Sequence, residues 1–180
     1  MSPKTGLCFF RPSLHAVLLS LAVYSDPQYR VNHGTKCMRV AIAGAAGRMG
    51  RSLIESVCRS EAAVTVSAAS VRAGDPTLGM DVGLLAMGQA LGVLAKDSLT
   101  QQSDAFDVLI DFTTPESTLQ HLSLCLDARK ALVIGTTGFS ETQKRQIEDA
   151  AAQIPIVFAP NMSVGVNLCL QLLRQAAAVL

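Results

Sequence analysis

The segment Gly44-Ala45-Ala46-Gly47-Arg48-Met49-Gly50 joins a β-branched run to an apolar stripe at helical spacing, and few folds accommodate that junction. A glycine at 44 permits a sharp turn off a strand and the close approach of an anion. Backbone N–H groups at the start of the following helix, with the helix dipole behind them, favour a diphosphate there. The spacing is G-x-x-G-x-x-G, not G-x-G-x-x-G. Taken alone, it fits either a dinucleotide site or a strand-to-helix turn with no ligand.

From Met38 onward, short strand-like runs alternate with helical ones. Residues 39–43 (RVAIA) read as a strand, and Met49, Leu53, Ile54 and Val57 recur at spacings of three and four, which predicts a packing stripe on a helix. Residues 64–69 read as a second strand. Glycines and a proline (Gly74, Pro76, Gly79, Gly83, Gly88, Gly92) break residues 72–105 into loops, with room for a short helix and a strand near 92–95, and the pattern leaves the assignment of that stretch open. The run 107–112 (DVLIDF) reads as a buried strand. Thr114 and Pro115 follow as N-cap and first-turn residues of a helix through about Asp127. Residues 131–134 and 155–158 read as further strands, separated by a helix through about Ala152 that opens on a Ser140/Gln143 capping box. This alternation predicts an α/β fold, a Rossmann-type doubly wound parallel sheet. Residues 1–37 read as an extension outside the fold and 38–163 as the dinucleotide-binding domain. Residues 164–180 lack breakers after Gly165 and read as a strongly apolar helix.

Composition narrows the partners. With 15 Lys+Arg against 14 Asp+Glu and only 16% charged residues, the chain has no general electrostatic grip for nucleic acid or an anionic membrane, and its 49% hydrophobic content supports a core. A small-molecule ligand is expected. The five cysteines and three histidines are scattered, with no C-x-x-C pair, so neither a disulfide framework nor a metal site is expected. A reducing cytoplasm fits best. The run 14–23 (LHAVLLSLAV) has the outline of a secretory signal but contains a histidine and lacks a small-x-small site after it. It is also shorter than the roughly 20 residues a membrane span needs. The reading adopted is that translation starts at Met38.

The acid that meets the adenine ribose of NAD would stand at the end of the second strand, where this chain has Ser70, Val71 and Arg72. Arg72 is instead suited to the 2′-phosphate of NADP through a forked, charge-assisted contact, which makes NADPH the first choice over NADH. A lone solvated arginine would look the same. Gly135-Thr136-Thr137 and Ala159-Pro160-Asn161-Met162 also follow predicted strands and should face the crevice that Gly44 faces. Their small residues and hydroxyls suit a nicotinamide amide, although each loop read alone is equally a plain turn.

Together, RVAIAGAAGRMGR, DVLIDFTTPESTLQHL, VIGTTGF and VFAPNMSVGVN resemble, in order, the dihydrodipicolinate (4-hydroxy-tetrahydrodipicolinate) reductases of lysine and diaminopimelate biosynthesis. The resemblance implies that Gly44, Ala45, Ala46, Gly47, Arg48 and Met49 hold the dinucleotide phosphates. It places Gly135, Thr136 and Thr137, and Ala159, Pro160, Asn161 and Met162, at the nicotinamide end. It also puts Phe112 beside the cofactor and Thr137 near a dicarboxylate substrate. Many members carry an acid where this chain has Ser70 or Val71, so the resemblance leaves NADH against NADPH open.

The resemblance makes residues 164–180 the first helix of an α+β substrate and oligomerisation domain, and the chain ends at Leu180, before the family's His-His-x-x-Lys segment and its Ser-Gly-Thr loop, so no catalytic residue is assigned. Neither His121 nor Lys130 matches the context of those groups, and His121 reads as a mid-helix surface or packing residue. The expectation is cofactor binding with negligible turnover for the 180 residues, a homotetramer only for a full-length form, and a tendency to aggregate through the apolar helix. Alternatives are another Rossmann dehydrogenase of amino-acid metabolism and a non-catalytic dinucleotide-binding module.

Overall fold

The computed structural model describes residues 37–159 together with Cys169, Leu173 and Gln175. The expectations for residues 1–36, the Pro160-Asn161-Met162 loop and the packing of a helix over 164–180 lie outside the described residues. Strands β1 (Met38–Ala43), β2 (Val64–Ser70), β3 (Ala95–Lys96), β4 (Val108–Asp111), β5 (Ala131–Ile134) and β6 (Ile156–Phe158) form one parallel sheet in the order β3-β2-β1-β4-β5-β6. Between them run helices α1 (Arg48–Cys58), α2 (Val82–Met87), α3 (Pro115–Ala128) and α4 (Glu141–Ala150). This is the Rossmann order, with two half-sheets wound outward from β1 and β4.

A parallel sheet is covered on both faces, so its strands are apolar throughout and successive side chains serve opposite layers. Val40 and Ile42 of β1 pack with Leu53, Ile54 and Val57 of α1. Ala41 and Ala43 join Leu122 and Cys125 of α3 and Ile147 and Ala150 of α4. Burial, with the neighbouring Asp111 charge, pushes the Cys125 thiol up to about 12, so it stays neutral among these side chains.

The helix ends follow their capping residues. Thr114 caps α3 by accepting from the Ser117 amide, with Pro115 in the first turn, and Arg129 ends that helix in the left-handed region at φ 50°. Both hydrogen bonds of the Ser140/Gln143 capping box are formed at α4, which stops at Ala150, two residues before the expected end. In α1 the packing stripe begins one residue later than expected. Met49 is 48% exposed, and Gly50 takes the sheet-facing position. Within residues 72–105, Asp81 organises the chain. Its carboxylate accepts from the amides of Gly83, Leu84, Leu91 and Gly92, which caps α2 and folds the following loop back onto it. Strand β3 begins at Ala95 because Leu94 is still engaged in an antiparallel bridge to Asp81.

At the amino-terminal edge of the sheet, Arg39 donates from Nη2 to Asp107 Oδ1 (2.7 Å) and from Nε to Oδ2 (3.2 Å). Its backbone N–H also donates to Oδ2 (3.0 Å). Partial burial raises the Asp107 carboxyl, but the hydrogen bonds and charge of Arg39 outweigh it, leaving the group below the usual carboxylate range. A carboxyl depressed in the folded state contributes stability above its unfolded value of about 4 and loses it as pH falls through the folded one. Asp107→Asn should therefore cost about 1 kcal/mol at pH 7, the pair being partly solvated. The deficit against wild type should shrink below about pH 4, as read by urea midpoints at both pH values.

Candidate functional site

Strand β1 leads to β2 and β3 on one side, and β4 leads to β5 and β6 on the other, so a crevice opens at the carboxyl ends of β1 and β4. Gly44 leaves β1 at φ 69°, and a Cβ there would stand 3.0 Å from Thr113 Cγ2 in the loop after β4. At Gly50 the approach is closer still: an added Cβ would lie 2.2 Å from the Gly44 carbonyl oxygen. Helix α1 therefore starts almost on top of the turn. Gly47 is its N-cap and brings no capping side chain, and the first N–H groups of a helix have no intrahelical acceptor. Arg48 and Met49 are exposed at that end.

The turn residues divide their work. Ala45 is fully buried and its amide donates to the Ser70 carbonyl (2.8 Å), so it ties the turn to β2 and has no N–H left for a phosphate. The Gly47 amide donates to the Gly44 carbonyl (3.0 Å), and Arg51 Nε fixes the Ala46 carbonyl (3.0 Å). The N–H groups open to an anion are those at the start of α1. Ser70, which ends β2, and Val71 after it are each 5% exposed, whereas Arg72 is exposed. Hydrogen bonds from Thr77 hold the nearby Asp75 carboxyl below its usual range, and the charges of Arg72 and Arg51 add to this.

At the β5 end, Gly135 lies directly against the ring of Phe112, and a Cβ at 135 would be 2.0 Å from Phe112 Cε1. Thr137 is exposed beside it. Thr136 differs from the sequence expectation of a hydroxyl facing the crevice. It is 3% exposed, and its Oγ1 accepts from the Thr113 amide (3.0 Å) and from Thr118 Oγ1 (2.9 Å), so only its backbone is left to meet a ligand. Ala159 is buried and its amide donates to the Ile134 carbonyl (3.2 Å), which extends the β5–β6 pairing to the crevice. The structure thus gathers the Gly44 turn, Phe112, Gly135 and Thr137 at adjacent strand ends and sets Arg72 on the far side of β1.

Sequence reasoning missed Asp111. It ends β4 with no exposure and takes His121 Nδ1 at 2.7 Å on Oδ2. The signal was a carboxylate closing an otherwise apolar strand, which requires a partner. His121 is correspondingly more than a surface or packing residue: its side chain is 18% exposed and held by that carboxylate.

Residues 38–162 match the family model described as dihydrodipicolinate reductase, N-terminus. The chain belongs to the dihydrodipicolinate reductase family. It is 53% identical over 142 residues to a 4-hydroxy-tetrahydrodipicolinate reductase of Hahella chejuensis, a match covering 79% of this chain and 53% of that relative. The dipicolinate-bound dihydrodipicolinate reductase of Paenisporosarcina sp. TG-14 superposes with a TM-score of 0.63 at 28% identity, over 78% of this chain and 54% of that one. The chain therefore spans about half the length of the relatives it matches. The apo scyllo-inositol dehydrogenase of Lactobacillus casei shares the fold at a TM-score of 0.56 and 16% identity, over 79% of this chain and 43% of that one.

Gly50→Ala should destabilise the domain by about 1–3 kcal/mol, because the added methyl meets backbone rather than a movable side chain. A urea midpoint equal to wild type would mean that α1 withdraws from the turn at no cost.

Proposed function

We propose that this chain is the nucleotide-binding part of a 4-hydroxy-tetrahydrodipicolinate reductase and holds NADPH in preference to NADH. The observation that carries the reading is the start of α1. Partnerless N–H groups and the close Gly50 approach form a cradle for a diphosphate at the crevice between β1 and β4. In this reading Gly44, Ala46, Gly47, Arg48 and Met49 surround the phosphates, with Ala45 supporting the turn from beneath. Gly135, the Thr136 backbone, Thr137 and Ala159 receive the nicotinamide end, with Phe112 against Gly135. Pro160, Asn161 and Met162 complete that end.

When bound, the reduced nicotinamide supplies the hydride. The chain's own residues bind and orient it, and exposed Thr137 faces the substrate, a cyclic dicarboxylate. The preference for NADPH follows from charge. No carboxylate stands at Ser70 or Val71 to accept from a ribose hydroxyl, while exposed Arg72 offers a guanidinium at the same strand end. The biosynthetic role and the chain's composition accord with a cytoplasmic location. Among the described residues no helix is long and apolar enough to cross a membrane.

Titration with each cofactor, followed by nicotinamide fluorescence, tests the reading. Wild type should bind NADPH more tightly than NADH. Arg72→Ala should weaken NADPH about tenfold, roughly 1.4 kcal/mol, and leave NADH unchanged. Equal loss for both cofactors would remove Arg72 from the 2′-phosphate site, and no binding of either would remove the dinucleotide reading.

A further inference from the structure

The carboxylate of Asp111 has no part in the phosphate cradle, yet among the described residues at the crevice it is the most heavily engaged polar group. Burial strongly disfavours an ionised carboxyl, and such a group is retained where charge and hydrogen bonds compensate. Here they come from separate elements. Oδ1 accepts from the Thr113 amide (2.9 Å), Thr113 Oγ1 (2.6 Å) and, at longer range, Thr136 Oγ1 (3.5 Å). Oδ2 is held by His121 Nδ1 of α3 at 2.7 Å. Thr118, three residues before His121 on the same helix face, donates to Thr136 Oγ1 (2.9 Å).

We propose that Asp111 and His121 are positioning residues for the dinucleotide: they lock the loops after β4 and β5, and through Thr113 the Gly44 turn, at the spacing the cofactor needs. The inference rests on the nucleotide-binding reading above. The geometry carries it in three steps. Thr113 is held by Asp111 on one side, and on the other its methyl stands 3.0 Å from where a Gly44 side chain would be, so movement of Thr113 reaches the turn. Thr136 shares the Thr113 amide with Asp111 and lies between Gly135, which is packed under Phe112, and exposed Thr137. His121 closes the network from α3. Its Nδ1 must carry a proton to donate to Oδ2, which fixes the ring orientation and leaves Nε2 as the outer nitrogen. Without that donor one oxygen of a buried carboxylate is unpaired, and the loops relax to satisfy it.

NADPH affinity and thermal unfolding of His121→Leu, His121→Gln and Ile147→Val, each against wild type, test the proposal at a temperature where every protein is folded. Ile147 lies in α4, in the core layer it shares with α3, and takes no part in the hydrogen bonds of the network, so its variant loses stability while every one of those donors and acceptors stays in place. His121→Leu should bind NADPH on the order of tenfold more weakly. His121→Gln, whose side-chain amide can still donate to Asp111, should recover most of the loss. Ile147→Val should unfold at a lower temperature with wild-type affinity. If His121→Leu does not fold, the near-isosteric Thr136→Val removes the node between Thr113 and Asp111 and should weaken binding similarly. Wild-type affinity in a folded His121→Leu, or in Thr136→Val where that variant replaces it, overturns the positioning role. So does affinity that falls in Ile147→Val as far as in the network variants. If wild type binds neither NADPH nor NADH, the nucleotide reading fails first and takes this inference with it.

Discussion

Helix α1 can cover the central strand and also open at the turn that follows it only because residue 50 has no side chain. The Gly44 carbonyl occupies the space a Cβ would need. That contact sets the depth at which α1 lies on β1, and therefore how Leu53, Ile54 and Val57 meet Val40 and Ile42. It also leaves the helix's first N–H groups at the crevice rather than behind a loop. Packing and ligand access share one close approach, so the turn tolerates little change in its shape.

Two carboxylates bracket β4 and show how position decides the role of a charge. Asp107, just before the strand, pairs with Arg39 at a partly solvated edge, where the ion pair mainly ties the starts of β1 and β4 together. Asp111, at the other end, is fully buried. Burial raises its carboxyl, but His121, by hydrogen bond and charge, and the donors of Thr113 hold it below the usual range, so it stays ionised. The same residue type thus closes the sheet at one end and ties together the loops after β4 and β5 at the other.

Signals that act within a few residues were legible in the chain. The Ser140/Gln143 capping box, Thr114 and Pro115 at the start of α3, and the β-branched runs of the sheet depend on local backbone chemistry, and each appears where local rules place it. Glycine spacing likewise marked the turn. Less legible was the division of labour inside the site. Ala45 gives its amide to Ser70 in the neighbouring strand, Thr136 turns its hydroxyl toward Thr118 and Thr113, and Met49 points to solvent while Gly50 faces the sheet. The stretch 72–105 was opaque because Asp81 gathers amides up to 11 residues ahead, a pattern with no local period.

By itself the sequence determined the alternation of strand and helix, the helix starts, the glycine turn and the family, because all of these are carried by short-range sterics, capping and ordered motifs. Only the tertiary structure decided which hydroxyls and amides remain for a ligand, and that Asp111 and His121, ten residues apart in the chain, meet at 2.7 Å. A buried polar group takes its partners from whatever the packing brings within reach, and those partners come from different strands and helices.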